Sequence, residues 1–239
     1  MPLTKHLLLA ILLFFADGAV FAQNANDIIN KNIEAMGGKD KLSHLNSVYE
    51  EMTTSVMGQE IPAKIWIVNE KGMRTEMTVM GQQMITVVTT DTGWMINPLT
   101  GNNTPQPLPS NMLKQSLGKM DLRGQLMDYM NKGFTATLLG KEADGSKEAY
   151  KIKLVKSGQP TFTFYINVSS YLISKIATET NANGQKTAVT VVMSDYRKTP
   201  EGYFFPFLTT IEAGTGEIKS QITKLTINPA VDPSLFAKK

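Results

Sequence analysis

The sequence predicts a mainly β protein of the α+β kind: one antiparallel sheet, strongly curled, with helices lying against one side. Three observations predict it. Apolar residues recur with period two in about 11–12 segments. Short links such as Gly58-Gln59, Gly81-Gln82, Asp144-Gly145 and Asn183-Gly184 separate the segments, and such links join only antiparallel neighbours. Helical spacing is confined to two stretches, one early and one in the middle of the chain.

Taken in order, residues 1–22 read as a secretory signal peptide. Lys5 supplies the positive start, Leu7 to Phe15 form an apolar run, and Val20-Phe21-Ala22 places a small residue before the cut, expected after Ala22. That run is too short for a bilayer, which needs ~20 apolar residues. No cysteine stands at the cut to carry a lipid anchor. A soluble, exported chain of residues 23–239 is expected, forming a single domain.

A first helix begins at Asn26 or Asp27, carries Ile28, Ile29, Ile33 and Met36 at helical spacing, and stops at Gly37-Gly38. Lys39 to Leu45 adds a short helical turn. Strands are expected at Val48–Met57, Ile61–Asn69, Met73–Met80, Met84–Thr90 and Trp94–Asn97. Asn97 to Pro109 holds four prolines after Asn97 and reads as loop. Ser110 is expected to cap a helical insertion over about 109–131, broken into two short helices by Gly118 and Gly124. Strands resume at Phe134–Lys141, Glu148–Lys156, Thr161–Ile166, Tyr171–Glu179, Lys186–Tyr196, Tyr203–Ala213 and Glu217–Asn228.

Composition excludes several chemistries. With no cysteine among 239 residues there is no disulfide, thiolate nucleophile or cysteine-based metal site. Of two histidines, His6 falls in the leader, so His44 alone remains, and it reads as a surface or cap residue. A net charge of +3 with only Arg74, Arg123 and Arg197 as arginines is too dispersed for nucleic acid. Neither a phosphate loop nor a nucleophile elbow is present, so no catalytic residue, metal or cofactor is assigned and the protein is not expected to be an enzyme.

The positive signal is methionine. Of 14 in the chain, 11 fall between Met52 and Met130, on the first hairpins and the insertion. Methionine suits apolar surfaces that accept variable shapes, though such stripes also fill ordinary cores. Alternation then picks out an apolar sheet face: Ile65 and Ile67 against Lys64 and Trp66, Met77 and Val79 against Arg74 and Glu76. Later strands repeat it, with Ile152 and Leu154 against Lys151 and Lys153, and Phe162 and Phe164 against Thr161 and Thr163. The expected cup is lined by Ile65, Ile67, Met77, Val79, Met84, Trp94, Ile152, Leu154, Phe162 and Phe164. Leu113, Leu117 and Met120 form the inner face of a lid. Trp94 stands either at the cup mouth or as the packing anchor where the loop leaves the sheet.

Several short motifs resemble one family. These are Glu34-Ala35-Met36-Gly37-Gly38 closing the first helix, and Gly93-Trp94-x-x-Asn97-Pro98-x-x-Gly101 before the insertion. Ser194-Asp195-Tyr196-Arg197 follows, then Gly202-Tyr203-Phe204-Phe205-Pro206, then a tail from Asn228-Pro229 to Ser234-Leu235-Phe236. In this order, behind an exported leader without a lipid-anchor cysteine, they resemble the LolA-like periplasmic lipoprotein-sorting carriers. The resemblance implies a half-open barrel with helices over its mouth, and a cup that shields lipoprotein acyl chains or a related lipid between two membranes. It implies inner- and outer-membrane lipoprotein transport proteins as partners, and a monomer. Carriers of this family latch the lid with an arginine, and neither Arg74 nor Arg123 is assigned that role. Two other readings stay open: an interaction module whose cup is permanently filled by its own helices, and a hydrolase of envelope lipids.

Overall fold

A computed structural model describes residues 24–182, 185–214 and 216–238. The expected leader, its cut after Ala22 and the Asn183-Gly184 turn lie outside the described residues.

The first helix, α1 (Ala25–Ala35), starts earlier than the sequence suggests. Asn24, not Asn26 or Asp27, is its cap: the Asn24 side chain accepts from the Asp27 N–H at 2.9 Å, and the Asp27 carboxylate accepts from the Asn24 N–H. Ile28, Ile29 and Ile33 are buried along one face. The helix ends where Gly37 takes φ +131°, packed so closely that an added Cβ would sit 3.1 Å from the Gly202 carbonyl. A single turn, α2 (Lys39–Ser43), follows.

Among the described residues thirteen strands then form one antiparallel sheet. They are β1 (Ser47–Val56), β2 (Gln59–Val68), β3 (Gly72–Val79), β4 (Gln82–Thr89), β5 (Gly93–Asn97) and β6 (Asn102–Pro107), then β7 (Thr135–Asp144) and β8 (Lys147–Val155). The set is completed by β9 (Phe162–Asn167), β10 (Ile173–Ala182), β11 (Gln185–Lys198), β12 (Phe204–Ala213) and β13 (Gly216–Ile227). Their spatial order is β6-β5-β4-β3-β2-β1-β13-β12-β11-β10-β9-β8-β7. The chain therefore enters mid-sheet, meanders to one edge, crosses to the other edge and returns to pair β13 with β1. The sheet curls without closing. Register shifts at Glu51/Met52, Leu138/Gly140 and Ile173/Lys175 supply the local bends.

Two expectations are corrected. The proline-rich stretch is not all loop, because β6 runs through it, pairing Trp94 with Pro107 and Met95 with Gln106. It is an edge strand, where a missing N–H faces no partner. The insertion also holds one α-helix rather than two: α3 (Ser110–Leu117), then a 3-10 turn to Met120, then turns. Positive φ at Gly124, Asp128 and Gly133 breaks the second half. Ser110 is the first helical residue, and the cap position is Pro109, without a side-chain bond.

Segment 108–134 joins edge β6 to edge β7, so it bridges the opening of the curl. Its second half is pinned. The Glu70 N–H donates to the Met120 carbonyl at 3.0 Å, the Leu122 N–H to the Asn69 side chain at 2.9 Å, and Lys39 pairs with Asp128 at 2.7 Å. Leu126, Met127 and Tyr129 are buried with α1 and with Ile152, Leu154 and Phe164.

Candidate functional site: the concave face

Residues directly opposite in an antiparallel pair share a face. Val48, Ile67, Met73 and Val88 form one such row across β1 to β4, and all four are buried. The next row is Glu50, Ile65, Thr75, Thr86 and Met95, and the next Met52, Ala63, Met77 and Met84. In the other half of the sheet, Leu138, Ile152, Phe164, Ile176, Val191 and Ile211 form a row. This is the concave face, since the helices pack on it.

The helices cover only one end. The larger core joins α1, Leu42 and Leu45, the crossover and Ile152, Leu154 and Phe164. The smaller one joins Ile67, Met73 and Val88 to Leu108 and Met120, with Leu113 and Leu117 of α3 packed alongside. Toward the hairpin tips Met52, Val56, Ile61, Met77, Val79 and Met84 stay half-buried and belong to neither core. Among the described residues no element covers that end of the concave face, which is an apolar surface.

The expected lining thus separates into groups. Ile67, Ile152, Leu154 and Phe164 are fully packed core; Ile65 and Phe162 are partly buried beside it; Met77, Val79 and Met84 line the uncovered part. In the insertion, Leu113 and Leu117 are half-buried on α3, whereas Met120 is buried and its carbonyl is held by the β2–β3 turn.

Trp94 is corrected: it is not at the cup mouth. It opposes Val87, on the other face from Val88 and Met73. There it lies in an outer row with Tyr49, Trp66 and Arg74, beneath the C-terminal tail. Its Nε1 donates to the Phe236 carbonyl at 3.4 Å, and Arg74 lies 6.0 Å from its ring centre while donating to the Leu235 carbonyl at 2.8 Å. The Phe236 ring sits on Gly72, where a Cβ would be 3.0 Å away. Trp94 is a packing anchor that holds the tail to the sheet.

Sequence reasoning missed Glu50. It shares the concave face with Val48 and Met52, between Ile65 of the smaller core and Leu225 beside the larger one. No hydrogen bond or ion pair holds it among the described residues. Burial alone pushes its pKa from 4.5 up to about 7. The signal was available in the alternation Val48-x-Glu50-x-Met52, a carboxyl on an otherwise apolar face.

None of the three arginines bonds to α3 among the described residues. Arg74 faces outward, paired with Glu76 at 2.7 Å; Arg197 pairs with Asp195 at 2.6 Å; the Arg123 Nε is buried without a partner. His44 is exposed and contacts the Asp40 carbonyl at 2.8 Å, as a cap residue does. A polar depression of about 220 Å³ on the outer face, lined by Glu51, Lys64, Glu76 and Gln83 among others, carries charges of both signs. Among the described residues no cluster of three metal-ligating side chains occurs, and no helix is long and apolar enough to cross a membrane.

The fold and the face together define a class: an open antiparallel β-cup with an apolar interior and an edge-to-edge helical crossover. Solved structures share the fold. A LolA superfamily protein from Nitrosomonas europaea superposes with a TM-score of 0.61 at 13% identity, covering 91% of this chain and 99% of that one. A Vibrio parahaemolyticus domain named for outer membrane lipoprotein sorting gives 0.59 at 11% identity, covering 90% and 96%. A DUF1329 family protein from Desulfovibrio piger gives 0.58 at 11% identity, covering 89% and 97%. The chain has the LolA-like fold. No family model matches the sequence, and no curated protein does.

Proposed function

We propose that the protein is an exported, periplasmic carrier that takes the acyl chains of a lipoprotein or related lipid into its cup for passage toward the outer membrane. The observation that carries this reading is the half-buried apolar surface of Met52, Ile61, Met77, Val79 and Met84, continuous with two packed cores and flanked by α3. Burying methylene groups there yields ~0.8 kcal/mol each, so several carbons of one chain bind without any covalent step. Helix α3, half-buried and uncapped by a side chain, is the part that moves aside; the pinned stretch beyond Met120 stays.

The test is mass spectrometry of mature protein taken from its native envelope without detergent, under non-denaturing conditions. An acylated species in near-stoichiometric amount is expected to leave on unfolding. Empty protein that also fails to take up a fluorescent fatty acid overturns the reading. It would favour the second one, an interaction module with a permanently filled cup. The burial of Leu126, Met127 and Tyr129 against α1 is the observation that supports this alternative.

A further inference from the structure

Two hairpin tips repeat the same four residues. Val56-Met57-Gly58-Gln59 joins β1 to β2, and Val79-Met80-Gly81-Gln82 joins β3 to β4. In both, the central pair has positive φ: 49° and 79° at Met57-Gly58, 50° and 77° at Met80-Gly81. This is the hairpin turn that Asn-Gly fills best, and a methionine in its first position is strained. Packing does not offset that strain. Met57 is 96% exposed and Met80 82%, the two most exposed large apolar side chains among the described residues.

The tips stand together. Strands β2 and β3 are neighbours, with Ala63 opposite Met77, so both turns project from the same end of the sheet. Two strand spacings of ~4.8 Å put them about 10 Å apart. Ser55, Gln59, Thr78, Gln82 and Gln83 around them are uncharged, and Glu60 is the nearest charge in sequence. This is also the uncovered end of the cup, where Val79, Met77 and Met84 continue the apolar path inward.

We propose that Met57 and Met80 form a two-point foot that inserts into the interfacial layer of a lipid bilayer and sets the open end of the cup against it. The inference rests on the acyl-carrier reading. Two separate protruding points on the rim of the apolar face, beside Val56, Ile61 and Val79, suit a fluid bilayer, which receives each point independently; a protein partner would need two matched pockets. Two flexible side chains give a weak, reversible seat, as a shuttle requires. The charges beside the tips, Glu60 and Lys219 on either side of Ser55, are of opposite sign, so the seat has little preference for anionic lipid.

The chain has no cysteine, so Met57→Cys and Met80→Cys each accept a single environment-sensitive fluorophore. With vesicles of phosphatidylcholine, alone or mixed with phosphatidylglycerol, both labels are expected to brighten and shift to the blue; a label at Thr223→Cys on the outer face is not. The double variant Met57→Asn/Met80→Asn relieves the turn strain. It is expected to lose vesicle co-sedimentation at least tenfold, unfold at equal or higher urea, and keep fatty-acid uptake within twofold. Silent labels, an Asn pair that sediments like the parent, or sedimentation abolished by high salt overturn the proposal. Tips that insert in a protein that takes up no fatty acid overturn the carrier reading alone.

Discussion

Replacing Glu50 by Gln tests the concave face directly, because the carboxyl stands alone there. Its folded pKa of about 7 lies above the ordinary 4.5 because burial penalises the charged form. Between those values the native carboxyl keeps a proton that the unfolded chain has released. Stability therefore falls as pH rises through that window, and the contribution present below pH 4.5 is gone above about pH 7. At 1.36 kcal/mol per unit the full shift amounts to about 3 kcal/mol. Water reaches the half-buried side chain and screens part of this, which leaves ~1–3 kcal/mol. The assay is urea unfolding of parent and Glu50→Gln from about pH 4 to about pH 8.5. The variant is expected to gain that amount over the parent as pH rises, and to be nearly level with it at the acid end. Asp144, whose pKa is lowered by hydrogen bonds from Ser174 and Lys175 that outweigh its burial, loses its contribution as pH falls. It acts equally in both proteins and cancels in the difference. A parent-minus-variant difference that does not change with pH would refute the placement of Glu50 on an apolar floor.

Other outcomes follow from the same geometry. Leu117→Glu on α3 is expected to abolish fluorescent fatty-acid binding while the unfolding midpoint moves little, and intact binding would remove α3 from the lid. Hydrogen exchange should be faster over residues 110–117 than over 126–129, which are buried with α1; equal protection would favour a permanently filled cup. Met77→Asp, on the half-buried part of the face, should weaken acyl binding at least tenfold and cost only ~1 kcal/mol of stability, and unchanged affinity would exclude that region. Trp94→Ala should cost ~3 kcal/mol through lost packing under the tail, with acyl affinity unchanged; lost affinity at full stability would return Trp94 to the cup.

Most strands were legible because their signals are local. Alternation and the turn residues at Gly58, Gly72, Gly81, Gly145 and Gly158 specify where a strand runs and where it reverses, whatever the rest of the chain does. Helix α1 was legible for the same reason, its isoleucines at helical spacing and its glycine stop lying within a few residues. The failures share a cause. Strand β6 looks like loop because prolines forbid a central strand, and only its place at the sheet edge makes them harmless. The second half of the insertion has helical spacing, yet Leu126, Met127 and Tyr129 reach the core through turns.

By itself the sequence determined the period of each element and which residues alternate. On β4 and β5, tertiary structure decided which of the two faces is the inside. Trp94 and Val87 are as apolar as Met95 and Val88, so alternation alone leaves them equivalent; the tail at Leu235 and Phe236 breaks the tie by covering the outer row. The same long-range step places Glu50 between two cores and brings the Met57 and Met80 tips side by side, because the neighbours of a strand are set by sheet order, which no local pattern encodes.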